Sequence, residues 1–401
     1  MTTSFQSLGL SQAVLKAVED QGFTTPSPIQ AQAIGPVLSG KDIMAAAQTG
    51  TGKTGAFALP IVHMLEAHDQ RPKSNHIKAL ILTPTRELAA QVAQSVEQSH
   101  KHTQLHSAVA FGGVSINPQM KALRRGVDVL VATPGRLLDL YSQNAVKFNQ
   151  LSILVLDEAD RMLDMGFIHD IKRIIKLLPP KRQNLLFSAT FSDEIRALAK
   201  QFINDPVEIS VTPKNTTATT VEQAIVHVEK SNKSKLLAKL ISDNDWQQVL
   251  VFSRTKHGAN RIAKQLSAKG LNALAIHGNK SQGARTKALA DFKAAKLRVL
   301  VATDIAARGI DIDLLPNVIN YDLPNVAEDY VHRIGRTGRA GASGNAVSFV
   351  TDEDGKQLKA IQNLIGQHIP VLEVSGLSIK PMAQAPIRAP KPKRPKRVKS
   401  D

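Results

Sequence analysis

A two-domain α/β protein, each domain an open parallel sheet covered by helices, is predicted by three observations. The chain has 401 residues, too many for one compact core and well suited to two domains of ordinary size. Short runs rich in Val, Ile, Leu and Ala alternate along it with longer stretches of helical apolar spacing. That is the order that builds parallel sheets from β–α–β units. The alternation stops once, at VTPKNTTATT (residues 211–220), a stretch with little to bury and a proline to break it, and then resumes.

In the first half the spacing predicts strands at residues 42–46, 79–83, 108–111, 127–132, 153–156 and 184–187. Several are apolar almost throughout, as strands buried on both faces should be. Residues 87–100 and 170–178 carry helical spacing between them. In the second half strands are expected at 224–228, 248–252, 273–276, 298–302, 318–321 and 346–350. The halves share element order but no convincing sequence repeat. The expected boundaries are a first domain over residues 1–210, a linker over 211–221, a second domain over 222–380 and a tail over 381–401. The tail reads PMAQAPIRAPKPKRPKRVKSD, with five prolines, seven basic residues and one acid. It cannot bury enough surface to fold and should stay extended.

Lys and Arg number 51 against 34 Asp and Glu, a formal net charge of +17. Removing the tail's +6 leaves +11 on the folded part, so the surplus is not a tail effect. It points to a polyanionic partner, nucleic acid ahead of an anionic membrane. The absence of cysteine excludes disulfides, thiolate metal sites and thiol nucleophiles. The first residues have no basic start followed by an apolar core, so they do not read as a secretory signal. No apolar run nears the ~20 residues that span a bilayer. A soluble, cytoplasmic protein without membrane contact is expected. His100, His102 and His106 lie close in sequence, but their spacing suggests an exposed helix end ahead of an enclosed metal site. Trp246 reads as a packing residue.

Chemistry enters at residues 47–54, AQTGTGKT, between a predicted strand and a predicted helix. The pattern differs from Gly-x-x-x-x-Gly-Lys-Thr only in its first residue, Ala47. In it Ala47, Gln48, Thr49, Gly50, Thr51 and Gly52 form a flexible backbone whose N–H groups wrap phosphate oxygens. Lys53 would reach the β- and γ-phosphates of a nucleotide and the Thr54 hydroxyl would sit on Mg²⁺. The competing reading is a glycine-rich surface turn. Such a loop needs an acidic partner, and DEAD at residues 157–160 follows the apolar run ILVL. Asp157 at a strand's end can hold the water shell of magnesium, and Glu158 can orient and deprotonate an attacking water.

With DEAD the sequence resembles the DEAD-box RNA helicases, and other landmarks of that family follow in order. Residues 22–30, GFTTPSPIQ, resemble the family's adenine-sensing motif, with Phe5 at the spacing of its isolated upstream aromatic. The Gln30 amide can pair with both N6–H and N7 of adenine, and Phe5 and Phe23 could cover its ring faces. PTRELA (Pro84, Thr85, Arg86), the pair ending in Gly113, and TPGR (Thr133, Pro134, Gly135, Arg136) resemble the RNA-backbone contacts of the first domain. Each follows a predicted strand, where loops at the carboxyl edge of a parallel sheet gather. The triplet SAT resembles the family's coupling motif, whose hydroxyls, Ser188 and Thr190, bond to the acidic motif that includes Asp160.

The second half continues the resemblance with VFSRT, QGAR (Gln282, Arg285), ATDIAARGID and HRIGRTGR. By resemblance Thr303 contacts an RNA phosphate, Asp311 the ribose of ATP, and His332 belongs to the coupling set. Arg336 and Arg339 match arginine fingers, which neutralise charge on the transferring γ-phosphate. The likeness covers about residues 5–370. The phrase at 157–179, with the short basic tail, is most similar to the bacterial RhlE branch. It implies two tandem RecA-like domains, the superfamily 2 helicase core, that use ATP and Mg²⁺. The implied activity is RNA-stimulated ATP hydrolysis coupled to domain closure and local unwinding of short duplexes or remodelling of ribonucleoprotein. The alternative is an ATP-gated RNA clamp or assembly scaffold in which unwinding is incidental. RNA is the expected partner, read through its backbone, with ribosomal precursors or the RNA decay machinery as plausible settings and a monomer as the acting species.

Overall fold

The computed structural model describes residues 3–47, 50–67, 70–211, 221–307, 315–337 and 344–374. Residues 212–220 of the expected linker (211–221) and the whole expected tail (381–401) lie outside these residues, as do Gln48, Thr49, Asp311 and Arg339, and Val221, expected in the linker, opens a strand instead. The chain forms two compact units, one holding the described residues up to 211 and the other those from 221 onward.

The first unit is a sheet of seven strands: β1 (Ile43–Ala46), β2 (Ile77–Leu82), β3 (Ser107–Ala110), β4 (Val127–Ala132), β5 (Ile153–Leu156), β6 (Gln183–Ser188) and β7 (Val207–Ser210). Their order is β3-β4-β2-β5-β6-β1-β7, and every pairing is parallel. The near-continuous apolar runs have a simple cause. Successive side chains of a strand point to opposite faces, and both faces are covered. Leu80, Leu82, Leu130, Leu154, Leu156 and Leu186 enter the core on one side. Their neighbours Ala79, Ile81, Val129, Val131, Val155, Leu185 and Phe187 enter the core on the other. A third cluster seats the N-terminal helix Gln12–Asp20 on helix Lys53–Glu66 through Val14, Val18, Leu59 and Val62.

The second unit has six strands: β8 (Val221–His227), β9 (Val249–Phe252), β10 (Ala273–Ile276), β11 (Val299–Ala302), β12 (Asn317–Asn320) and β13 (Gly344–Val350). Their order is β10-β11-β9-β12-β13-β8, again parallel throughout. Val249, Val251, Val299, Val301 and Ile319 pack beneath helices Lys233–Asp243 and Lys256–Ser267, and Trp246 packs against that same cluster.

All expected strands are present within a few residues of the positions read from sequence. One strand, β7, had no counterpart among them. It is an edge strand in which Glu208 and Ser210 are exposed and Ile209 is buried. Four residues with two polar ones show too little apolar pattern to stand out. Because both sheets are parallel, all strand-to-helix loops of a unit gather at one edge.

Candidate nucleotide and nucleic-acid sites

Hydrogen bonds beyond the strands lace the carboxyl edge of the first sheet together. Ala47 N donates to Ser188 O at 3.0 Å, Thr83 N to Ala132 O at 3.0 Å, Thr133 N to Ala110 O at 3.0 Å and Asp157 N to Leu82 O at 2.9 Å. The loops that carry the motifs are thereby fixed against one another.

At the phosphate loop the chain leaves β1 through buried Ala47 and turns with φ of 81° at Gly50 and 89° at Gly52. Positive φ suits glycine. Gly52 is required for a second reason, since a Cβ there would lie 2.8 Å from both Gln30 Nε2 and Ser27 Oγ. Gln30 lies on the loop: its Nε2 donates to Gly52 O at 3.1 Å and its Oε1 accepts from Ser27 N at 2.9 Å. The adenine-pairing role expected of this amide must therefore use its second N–H and second lone pair. Phe23 is 54% exposed, an open ring face. Phe5 is not. It is 2% exposed and packs in the cluster of Val14, Val18 and Ile34. The expectation that Phe5 covers a base is corrected: it supports the N-terminal helix.

Helix Lys53–Glu66 starts at the loop, so its first N–H groups and positive dipole end face the same place. Lys53 is 6% exposed and Asp157 2%, and Lys53 Nζ and Asp157 Oδ1 are both buried with no hydrogen-bond partner. Burial pushes the Asp157 carboxyl up to about 7, Lys53 acting against that rise and Glu158 and Asp160 adding to it. A buried ammonium and a buried carboxylate oxygen left without partners are costly. An anionic oxygen group at Lys53 and a hydrated cation at Asp157 would satisfy both. The donor set therefore fits a phosphate chain with a hard divalent ion.

Glu158 has φ 54° and ψ 52°, the left-handed region, which costs a non-glycine residue about 1–3 kcal/mol and is typical of functional sites. Its carboxylate pairs with Arg161, one turn on in helix Ala159–Asp164. Sequence reading left Arg161 out, although the acid–base spacing of three residues was a signal. The partner of Asp160 is also revised. Asp160 Oδ2 accepts from the Ala189 backbone N–H at 3.1 Å. The link between DEAD and SAT thus runs through the main chain and not through the hydroxyls: Ser188 Oγ is buried without a partner and Thr190 is exposed.

The expected RNA loops of the first unit divide into two kinds. Thr85 caps helix Arg86–Ser99, its Oγ1 accepting from Leu88 N at 3.3 Å. Arg86 lies across the following loop so closely that a Cβ on Gly113 (φ 78°) would sit 1.8 Å from Arg86 Nη1. Pro134 and Gly135 open helix Pro134–Ser142, with Gly135 exposed and Thr133 at its start. Arg136 differs from the expectation. Its Nη1 donates to Gln119 Oε1 and its Nη2 to Val114 O, both at 2.9 Å, and its side chain is 8% exposed. It fastens the Gly112–Gly113 loop instead of offering its guanidinium to a phosphate.

In the second unit Thr303 follows β11, and Gln282 and Arg285 stand in the first turn of helix Gln282–Lys293, which Ser281 caps through Ala284 N at 3.3 Å. His277 follows β10 and is 3% exposed. Its Nδ1 accepts from Asn279 N at 3.3 Å and its Nε2 faces Asn260 Oδ1 at 3.0 Å, so the neutral imidazole fits. Burial pushes its pKa below the ordinary 6.5, helped by Lys280, Lys256, Arg285 and His257. A depressed folded value means stability that is present above about pH 6.5 and lost as pH falls through the lowered value. The melting temperature is expected to drop between about pH 7.5 and about pH 5, and His277→Gln to remove part of that drop. Parallel curves for the two proteins would contradict this.

Helix Ala327–Ile334 ends at Gly335 and leads to Arg336, which is 4% exposed, while His332 lies on the helix's exposed side. Thr337 Oγ1 donates to Leu315 O, and Leu315 N donates to Arg336 O at 3.1 Å. The three neighbouring histidines do not gather. His100 meets Ser107 Oγ at 2.9 Å, His102 meets Asp20 Oδ2 at 2.9 Å, and His106 is exposed. Among the described residues no helix is long and apolar enough to cross a membrane.

Comparison with known proteins agrees with this division. The DEAD/DEAH box helicase family model matches residues 27–198 and the helicase conserved C-terminal domain matches residues 232–341. The chain is 45% identical over 373 residues to the ATP-dependent RNA helicase RhlB of Pseudomonas syringae, covering 92% of this chain and 94% of that one. It is 42% identical to the DEAD-box ATP-dependent RNA helicase RhpA of Helicobacter pylori, covering 92% and 74%. Among solved structures, S. cerevisiae Dbp5 bound to RNA and ADP BeF3 matches with a TM-score of 0.79 and 32% identity, covering 92% and 95%. Mss116p bound to ssRNA and AMP-PNP matches with a TM-score of 0.82 and 29% identity, covering 94% and 80%. With the two RecA-like units, the phosphate loop and the acidic motif in place, the chain belongs to the DEAD-box family of RNA helicases.

Proposed function

We propose that this chain is an ATP-dependent RNA helicase that hydrolyses ATP with Mg²⁺ and uses the cycle to open short RNA duplexes or remodel ribonucleoprotein. The observation that carries the reading is the pair of buried, unpartnered groups at the foot of the phosphate loop, Lys53 Nζ and Asp157 Oδ1. Lys53 and the loop N–H groups hold the phosphates, Thr54 and Asp157 hold the ion's shell, and Phe23 and Gln30 receive the adenine. Glu158, once released from Arg161, orients the attacking water. Arg336 and Arg339 supply charge to the γ-phosphate, and Asp311 holds the ribose. RNA is held by its backbone at Thr85, Arg86, Gly113, Pro134 and Gly135 in one unit and at Gln282, Arg285 and Thr303 in the other, which leaves little base reading.

The likeness to proteins named as ATP-dependent RNA helicases supports this assignment, as does the net charge of +17. Ribosomal precursors and the RNA decay machinery remain the proposed settings, with a single chain acting in the cytoplasm. The RhlE-like branch rests on the resemblance of residues 157–179 and the tail.

The test is ATP turnover with single-stranded RNA, with DNA of equal length and with neither, run beside displacement of one strand from a short RNA duplex. Turnover stimulated by RNA above DNA, with ATP-dependent displacement, is expected. Stimulation with no displacement would favour the clamp, and no stimulation would remove the helicase reading.

A further inference from the structure

We propose that the outer face of helix Lys256–Ser267 is a second RNA surface, which takes the phosphate backbone of a duplex arm flanking the strand held at Gln282 and Arg285. The inference rests on the function proposed above and names a substrate feature that the second unit would grip. Residues 246–290 include eight Lys or Arg and no Asp or Glu. With 34 acids in 401 residues, about four would fall in a stretch of that length. The two acids just before it are engaged elsewhere. Asp243 Oδ2 accepts from Lys239 Nζ at 2.6 Å, and Asp245 Oδ1 accepts from Arg298 Nη2 at 3.1 Å.

The helix brings part of this charge to one side. Ala259, Ile262, Ala263 and Leu266 are buried and pack in the same core as Val249, Val251 and Val301. His257, Arg261 and Lys264 are spaced i, i+4, i+7, so they share the opposite face, and all three are exposed. They span about 10 Å along the axis, at about 1.5 Å per residue. Among the described residues neither Arg261 nor Lys264 meets an acid in an ion pair. Their charges are therefore open to a partner.

This face adjoins the loop proposed above to hold RNA. Lys256 Nζ donates to Asn279 Oδ1 at 2.8 Å, which ties the first turn of the helix to the loop after β10. The charged groups acting on buried His277 are Lys280, Lys256, Arg285 and His257, with no acid among them. The cations of the helix start, the loop and helix Gln282–Lys293 thus gather at one place. The chemistry of the face also selects its occupant. No exposed large apolar residue lies on this helix, whereas protein interfaces centre on aromatic or apolar anchors and are depleted in lysine. Single-stranded sites stack bases on aromatic rings, and the face has only an imidazole. Cations without such anchors suit a double strand, which is recognised through its phosphates and its shape.

The test uses the full-length chain and two fluorescein-labelled RNAs, a short oligo(U) strand and the same strand extended by a hairpin duplex. Binding is followed by anisotropy from about 50 to about 200 mM salt, and melting temperatures are recorded. The wild type should bind the hairpin-bearing strand more tightly than the bare one. The double variant Arg261→Ala, Lys264→Ala should melt as the wild type and keep its affinity for the bare strand. It should lose about tenfold or more in affinity for the hairpin-bearing strand, with a salt slope shallower by about 2, one for each phosphate contact removed. Arg261→Lys with Lys264→Arg should bind as the wild type, because a phosphate contact of this kind needs charge and not a particular side chain. Unchanged affinity and slope for the hairpin-bearing strand in the folded alanine variant would overturn the proposal and leave the face to an acidic protein. Equal losses for both RNAs would also overturn it, by assigning the two residues to the single-strand grip. ATP turnover of the wild type with the bare strand, measured alongside, reports separately on the function on which the inference rests.

Discussion

Lys53→Ala is expected to lower ATP turnover by about 10²–10³-fold or more, the loss that follows removal of one preorganised charge from a transition state. Its folding stability should not fall with it. Lys53 Nζ is buried without a hydrogen-bond partner, and an uncompensated buried charge costs several kcal/mol. Removing it also removes the attraction that opposes the burial-driven rise of the Asp157 pKa, so Asp157 should shift further up and stay protonated at neutral pH. A neutral acid beside an alanine is a more comfortable interior than an unpaired ammonium beside a half-ionised carboxylate. The melting temperature of the ligand-free variant should therefore equal or exceed that of the wild type. Such opposition between stability and activity is expected where a site is built for an absent ligand. Unchanged turnover in a steady-state ATPase assay would remove the phosphate-loop assignment.

Arg336→Ala is expected to have the larger effect on catalysis, roughly 10³–10⁵-fold in RNA-stimulated kcat, as for other arginine fingers. That is about 4–7 kcal/mol of transition-state stabilisation. ATP affinity should change little, because the charge it neutralises develops only as the γ-phosphate transfers. Arg336→Lys should recover little, since an ammonium replaces a fork with a point charge. Equilibrium binding of a fluorescent ATP analogue, set beside single-turnover hydrolysis, separates the two effects. A large loss of affinity with normal hydrolysis of bound nucleotide would place Arg336 in ground-state binding instead.

Backbone-level features were legible in the sequence because they are written in local patterns. Apolar runs such as VLVA at residues 129–132 predicted parallel strands buried on both faces, and the cores on either side of the sheet, entered alternately by Leu80 and Ile81, explain those runs. Turn glycines, capping threonines and a lysine opening a helix are likewise local. The edge strand β7 was not visible because an edge needs only one buried side chain, Ile209, to dock.

Side-chain direction was the harder part. Phe5, Arg136 and the SAT hydroxyls were each assigned to a ligand or a motif from position alone. The structure turns Phe5 into a core, Arg136 onto Gln119 and Val114, and the SAT link onto the Ala189 N–H. In each case the decision is made by residues distant in sequence or by main-chain geometry, neither of which has a spacing signature. Arg161 was missed although its spacing of three residues from Glu158 was a signal.

If the proposed function holds, nucleotide and RNA together are expected to draw the two units shut. The chain has no cysteine, so exposed Lys41 and Lys269, one in each unit, can be changed to cysteine and labelled with a donor and an acceptor dye. Energy transfer is then measured with a non-hydrolysable ATP analogue, with single-stranded RNA, and with both. Transfer that changes strongly only when both are present is the predicted result. The same change with the nucleotide alone, or no change under any condition, would contradict the account.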